Sequence, residues 1–285
     1  MRLKTREALE GYTFSTPAFL LLFLVLFFPF AYVIYISFFS KTFGYEPVFA
    51  GLKNYFLIIS DPVFKYSLYI STLYTVVAVL FKLLLGLAFA ILFAQEFKGR
   101  TVVRTVAVIP WGIPLFVVAA LFFWFFDYNL GLANAILKAL FGVKIFWLGP
   151  DWVVPSIIYV NVWKGIPFFM VNFLGALQTI PRSLYEAAEI DGASAWERFR
   201  HITIPGIKYV MLIVCLLSTI WTFGEFDTIF FLTRGGPGYL THIVPIYIYH
   251  QAFSNFNVGT AAAASVISVP IFLALISVIL WALRR

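Results

Sequence analysis

Glu186-Ala187-Ala188-Glu189-Ile190-Asp191-Gly192, running on to Ile202-Thr203-Ile204-Pro205, lies between two long apolar segments of this chain. The stretch is short, charged and dense in helix-start and helix-stop signals. Pro181 prevents the preceding apolar segment from continuing as a regular helix. Ser183 with Glu186, and Ser194 with Glu197, each have the spacing of a capping box, which predicts two short helices. Gly192 ends the first as a C-terminal glycine does, and Pro205 closes the second. The insert would expose Tyr185, Ala188, Ile190 and Trp196 between acidic residues, with Ala187, Ala188 and Ala193 small enough for close approach of another backbone. A solvated loop would carry the same capping signals. The exposed aromatic and apolar residues are what favour a docking surface.

Around this insert the chain is apolar. Of 285 residues, 62% are hydrophobic and 12% charged, with 34 Phe, 15 Tyr and 8 Trp. So few charges cannot cover a soluble domain of this size, so lipid is the expected solvent. About 20 apolar residues in a helix cross ~30 Å of hydrocarbon. Six segments qualify: Pro17 to Phe39, Leu68 to Phe93, Val106 to Phe126, Val153 to Leu177, Tyr209 to Leu232 and Gly259 to Leu283. The expected fold is an all-α integral membrane protein of six transmembrane helices with the insert between helices 4 and 5. The first segment follows Arg2, Lys4 and Arg6 as a signal peptide would, but it is too long and lacks a small-residue cleavage site. It is read as a retained anchor.

Lysine and arginine set the orientation. With a cytoplasmic N-terminus, 12 of the 20 fall inside and 6 outside, Lys82 and Lys164 being within spans. That excess places both termini and the insert in the cytoplasm. There is no linker, low-complexity stretch or clear repeat, so residues 1–285 are expected to form one membrane domain, the insert occupying 178–206. Gly51-Leu52-Lys53-Asn54-Tyr55-Phe56 and Asn134 to Phe141 have the character of short interfacial helices. The formal charge of +7 needs no nucleic acid, because the basic residues form no single face. The lone Cys215 and the scattered His201, His242 and His250 supply neither a disulfide framework nor a metal site, and Cys215 reads as a small buried hydrophobe.

Two spans carry polar groups. The fifth contains Trp221-Thr222-Phe223-Gly224-Glu225-Phe226-Asp227-Thr228. Ionisable side chains at such depth are costly and usually face a wet cavity or a partner. On a regular helix Glu225 and Asp227 point nearly opposite ways, so both reach one pathway only if Gly224 permits a break. The fourth span sets Asn161, Lys164 and Phe168 on one stripe, with Gly165 and Pro167 expected to kink it. Lys164 or Lys82 could instead simply neutralise one of the acids.

The pattern E-A-A-x-x-D-G-A, about ten further residues and I-x-x-P resembles the signature loop of binding-protein-dependent ABC importer permeases. Gly51 to Tyr55, Ile109-Pro110-Trp111, Gly175 to Pro181 and Leu232-Thr233-Arg234-Gly235-Gly236-Pro237 resemble the carbohydrate-type group, which includes the maltose and glycerol-3-phosphate systems. The resemblance runs nearly the whole chain in order. It implies that the loop is a coupling helix seated in a groove of an ATPase subunit, with Glu186, Ala187, Ala188, Asp191 and Gly192 as docking residues. It also implies sugar contacts from the middle of spans four and five, where Gly165, Phe223, Gly224 and Asp227 match. Aromatic faces with carboxylate or amide acceptors suit a sugar, which adds Asn161, Trp221 and Glu225 to the expected binding residues.

The chain has no G-x-x-x-x-G-K-[ST] phosphate loop, so ATP would be bound by partner subunits and the chain itself would need no cofactor or metal. The expected function is that of a permease subunit in the cell (cytoplasmic or inner) membrane. Its expected partners are two ATPase subunits, a second homologous permease, an extracytoplasmic binding protein, a sugar substrate and membrane lipid. The carboxylates of span five argue against a strongly anionic substrate. An ion-coupled secondary transporter using Glu225 or Asp227 is the rival, and an inverted repeat would favour it. A membrane-embedded enzyme would need a convergent nucleophile, acid/base pair or metal cluster, and none is evident.

Overall fold

The computed structural model of the protein describes residues 2–284, and the side chains of residues 11–281. The terminal basic side chains Arg2, Lys4, Arg6, Arg284 and Arg285 that entered the charge count lie outside those described. Nearly all regular structure is helical, as lipid requires of an open chain: in hydrocarbon each backbone polar group must find its partner inside the protein. Among the described residues five helices are long and apolar enough to cross a membrane, and a sharply bent pair, counted as one span, makes six.

The chain divides into two compact units, Met1–Phe64 with Tyr247–Pro270, and Lys65–Ile246 with Ile271–Arg285. In the first, α1 (Arg2–Leu22) passes through a π-helical turn, Phe23–Phe27, into α2 (Phe28–Ser37). Pro29 sits in the first turn of α2, and the widened turn just before it accommodates the N–H that proline lacks. Two-residue strands β1 (Phe39–Ser40) and β2 (Val48–Phe49) pair antiparallel ahead of α3 (Lys53–Ser60). The buried Asn54 of the Gly51–Tyr55 motif closes this corner, donating to the carbonyls of Ser37 and Phe39 at 2.8 Å each. At Gly259 a Cβ would collide with the Phe39 carbonyl, so glycine is required there. Tyr247 donates to the Asp61 carboxylate at 2.5 Å. Of the two predicted interfacial helices, one is α3 and the other is α7 (Leu132–Phe141) of the second unit.

The second unit contains most of α4 (Pro62–Ala94), then α5 (Arg100–Gly112), α6 (Leu115–Phe125) and α8 (Val153–Gln178). It continues with α9 (Arg182–Ile190), α10 (Ala195–Arg198), α11 (Ile204–Phe223) and α12 (Asp227–Thr233). Beyond α13 (Val244–Tyr249) and a π turn, His250–Ser254, α14 (Val258–Arg284) closes the chain. Within the second unit α8 packs on α5 and α11, and α6 packs on α12.

Two of the six expected spans differ from the sequence reading. The third is not one helix: α5 and α6 meet at a 98° bend. Pro114 forces Ile113 to extended backbone and removes an N–H, so α5 cannot run on. The fifth, expected over Tyr209 to Leu232, begins earlier and stops sooner. Pro205 does not close the second short helix. It occupies the first turn of α11, and α10 flows into it through the π turn Phe199–Thr203, so helix is continuous over Ala195–Phe223. Proline is tolerated in a first turn because its missing N–H would lack a partner there. The break comes at Gly224–Phe226, before α12. By contrast, α8 runs unbroken through Gly165 and Pro167.

Where lipid supplies no drive for helices to associate, small residues allow backbones to pack closely. Gly86 of α4 is such a residue: a Cβ there would overlap Phe169 Cβ and crowd the backbone of Met170. Replacing Gly86 with leucine is expected to lower stability by about 1–3 kcal/mol, as forced overpacking does. Gly175→Ala, at a helical position with open space around it, should leave the melting temperature in detergent unchanged or slightly raised. Thermal unfolding of the two variants side by side checks the packing.

Candidate functional site

Along α4, α8 and α11–α12 the polar residues are bracketed by two apolar clusters. One contains Ile70, Tyr74, Ile157, Val160, Ile229 and Leu232, the other Leu87, Ala90, Phe169, Phe173, Ile207 and Val214. Between them lies a cavity of about 460 Å³. All three helices therefore carry apolar, polar and apolar bands at matching depth, and the cavity is where the polar bands coincide.

The two helix breaks shape its walls. At the α5–α6 elbow the last carbonyls of α5 lose their i+4 partners, Pro110 keeping a 3.4 Å bond from the Ile113 N–H. Lys164 of α8 supplies a donor: its Nζ donates to the carbonyl oxygens of Ile113 at 2.6 Å, Trp111 at 3.2 Å and Pro110 at 3.5 Å. A cation is also what the negative pole of a helix C-terminus favours. The elbow so held presents Trp111 to the cavity, stacked on Phe168 with centroids 6.0 Å apart, and Phe168 meets Trp221 edge-on at 5.0 Å. Three aromatic rings thus form one wall.

The second break turns Glu225 and Asp227 into the same cavity, the outcome that a regular helix forbids. Gly224 caps α11, its N–H bonding Ile220 O, and Phe226 caps α12 with φ −114°. Glu225 accepts hydrogen bonds from the buried Tyr74 hydroxyl at 2.7 Å and from the Asn161 side-chain amide. Asn161 Oδ1 is buried and has no hydrogen-bond partner among the described residues. Asp227 is exposed in the first turn of α12. Lys82 is buried with its ammonium 2.8 Å from Thr222 Oγ1 and 6.0 Å from the centroid of the Phe169 ring. Gly165 makes room for that lysine, since a Cβ there would overlap Lys82 Cδ. Among the described residues neither lysine forms a salt bridge with Glu225 or Asp227, although the Glu225 charge acts on both at longer range.

Of the expected binding residues, Asn161, Gly165, Trp221, Gly224, Glu225 and Asp227 line the cavity. Phe223 does not. It is buried and stacked on Phe272, with centroids 4.9 Å apart, because the last turn of α11 rotates it away from the face that carries Trp221 and Thr222. Trp111 and Lys164 were missed as a structural pair. The signal for them was present in Pro110, Gly112 and Pro114, three helix breakers within five residues.

The insert is ordered by its own contacts. α9 starts at Arg182 with no side-chain cap, so Ser183 is inside the helix and the first expected capping box is not formed. The second is: Ser194 and Glu197 cap each other reciprocally. Gly192 has φ +78°, the left-handed conformation that glycine accepts without penalty, and nothing lies within 4 Å of where its Cβ would be. Arg198 bridges to Glu189 at 3.0 Å, tying the two short helices together. Tyr185, expected to be exposed, turns inward with its hydroxyl 2.9 Å from Thr203 Oγ1 and packs on the Phe173–Ile207 cluster. What remains on the surface is Glu186, Ala187, Asp191 and Gly192, half-buried Ala188, and the strongly exposed Leu184, Ile190 and Trp196.

Residues 82–285 match the family described as binding-protein-dependent transport system inner membrane component. The chain is 37% identical over 278 residues to the trehalose/maltose transport system permease protein MalF of Thermococcus litoralis, covering 97% of this chain and 93% of that protein. It is 36% identical over 254 residues to the sulfoquinovosyl glycerol transport system permease protein SmoG of Agrobacterium fabrum, covering 88% and 82%. Among solved structures, a chain of a bacterial ABC transporter involved in the import of the acidic polysaccharide alginate superposes with a TM-score of 0.84. That match has 21% identity and covers 100% of this chain and 99% of that one, a likeness of fold.

The Lys164 contacts make a direct prediction. Lys164→Met keeps the apolar stem and removes the donors, leaving the Trp111 and Ile113 carbonyls at the elbow short of a partner, while Pro110 keeps the Ile113 N–H. Each buried group left unpaired costs about 1–3 kcal/mol, so the variant should melt at lower temperature, with Trp111 more accessible to a collisional fluorescence quencher. Lys164→Arg should restore much of both.

Proposed function

The chain belongs to the family of binding-protein-dependent transport system inner membrane components, and from that premise we propose that it is one of two permease subunits of an ATP-driven saccharide importer. The observation that carries the saccharide reading is the cavity wall of Trp111, Phe168 and Trp221 facing Asn161, Glu225 and Asp227. Aromatic faces receive the C–H faces of a sugar ring while carboxylate and amide oxygens accept its hydroxyl hydrogens. The Thermococcus relative named for trehalose and maltose is consistent with it.

In this reading both termini and the insert are cytoplasmic, following the excess of Lys and Arg on that side, and residues 1–285 act as one permease domain. An extracytoplasmic binding protein delivers the saccharide, a second homologous permease completes the pathway, and two ATPase subunits supply the energy that this sequence, without a phosphate loop, has no motif to capture. The ATPase docks on Glu186, Ala187, Ala188, Asp191 and Gly192, with Ile190 and Trp196 as its apolar anchors. Asn161, Gly165, Trp221, Gly224, Glu225 and Asp227 form the substrate site. The ion-coupled carrier loses its ground once the chain belongs to a binding-protein-dependent family.

Gly192→Asp tests the docking surface. The left-handed φ strains any L residue there, while the open space around it leaves the rest of the fold unaffected. ATP-dependent uptake should fall to background and the ATPase subunits should no longer copurify, with the thermal transition of the permease intact. Unchanged copurification would remove these residues from the docking role. Asp227→Ala tests the pathway. The assembly should purify normally, with transport reduced at least tenfold in proteoliposomes, and normal kinetics would remove Asp227 from the site.

A further inference from the structure

Four ionisable side chains line the cavity, two of each sign, and their surroundings treat them unequally. Lys82 is 3% exposed and its ammonium is engaged with Thr222 and the Phe169 ring. Lys164 faces three carbonyl oxygens, one for each N–H of an ammonium. Lys164 is therefore fully engaged, and Lys82, with a single hydrogen bond, is set back from the cavity by its burial. Glu225 is half-buried and already accepts from Tyr74 and Asn161. Asp227 is exposed, and among the described residues its carboxylate has no hydrogen-bond or ion-pair partner. Of the four, the charge most open to an incoming molecule is the Asp227 carboxylate.

We infer that this cavity selects by charge, admitting uncharged saccharides and rejecting anionic ones, with Asp227 the residue that sets the discrimination. The inference rests on the saccharide-import reading above and goes beyond it. Trehalose and maltose carry no charge, whereas alginate is acidic, so kinship with proteins named for them leaves the charge class open. The side chains decide it. Saccharide hydroxyls can donate to the exposed Asp227 carboxylate. A uronate or sulfonate group can only accept, so it would find Lys164 engaged and Lys82 recessed at 3% exposure, and would bring like charge against Asp227 in a partly desolvated space.

The test is equilibrium binding to the assembled transporter in detergent micelles without its binding protein, so that the membrane cavity alone discriminates. The probes are three trisaccharides of matched length: maltotriose, a glucuronate-terminated analogue and a glucosamine-terminated analogue. Maltotriose is expected to bind at least tenfold more tightly than the uronate, and the amino sugar at least as tightly as maltotriose. Asp227→Asn should shrink the maltotriose-to-uronate ratio to threefold or less, chiefly through tighter uronate binding, and Asp227→Ser should do the same. Equal or tighter uronate binding by the unaltered protein overturns the inference, as does a ratio that neither substitution changes. If none of the three binds, the saccharide reading itself falls and the charge rule with it, an outcome distinct from binding without discrimination.

Discussion

An ammonium set against the carbonyls of a broken helix is the interaction on which the rest of the site depends. Hydrocarbon offers no partner to a backbone carbonyl, so a span can be interrupted at depth only where protein or a wet cavity satisfies the ends. The α5–α6 elbow meets that condition through Lys164, which reaches the carbonyls of Pro110, Trp111 and Ile113 from α8. Without the elbow, Trp111 would continue along a straight span and the aromatic wall would lack a ring. The lysine that might have been an ion-pair partner for a pathway acid is instead a structural cap.

The second break has the complementary effect. α11 ends at Phe223 and α12 starts at Asp227, and the three residues between them change the direction in which side chains leave the backbone. Glu225 and Asp227 therefore converge although their spacing on a regular helix would oppose them. Convergence of two carboxylates is costly unless at least one is hydrogen-bonded, and Tyr74 with Asn161 serve Glu225 in that way. Asp227, with no such support, stays where solvent reaches it. The apolar clusters on either side confine this polar band to one depth, so cavity position and helix-break position are the same fact seen twice.

Much of this was legible in the residues. Membrane class, the number of spans and the insert between spans four and five follow from apolar run lengths. Asn161, Trp221 and Glu225 are marked by polar and aromatic groups within spans, and Gly165, Gly224 and Asp227 by the family resemblance; all six line the cavity. The errors have physical causes. Pro205 carries the same stop signal whether it closes a helix or opens one, and only the π turn at Phe199–Thr203 shows that it opens α11. Ser183-x-x-Glu186 has capping-box spacing, but with Pro181 at the N-cap the helix begins two residues too early for Ser183 to be its cap. Phe223 shares a helix with the cavity residues, and its rotation away from them is set by packing against Phe272, a contact distant in sequence. Tyr185 is amphipathic in a loop-like segment, and its inward turn depends on Thr203, 18 residues away.

The continuity of α10, the π turn and α11 carries a mechanical consequence. Helix runs from Ala195 to Phe223 without interruption, a length of roughly 43 Å at ~1.5 Å per residue. Its first turn belongs to the insert and its last turns carry Ser218, Trp221 and Thr222 of the cavity. α8, which carries Asn161, Gly165 and Phe168, ends only four residues before α9 begins. Both helices that flank the insert therefore also line the cavity, and Arg198–Glu189 and Tyr185–Thr203 fix the insert to one of them. A hinge at Pro205 would have uncoupled the two ends. With the helix continuous through that point, the first interruption after the insert is Gly224–Phe226, the break that positions Glu225 and Asp227. The break that ends this helix and the carboxylates of the cavity are thus the same few residues, at the end opposite the insert.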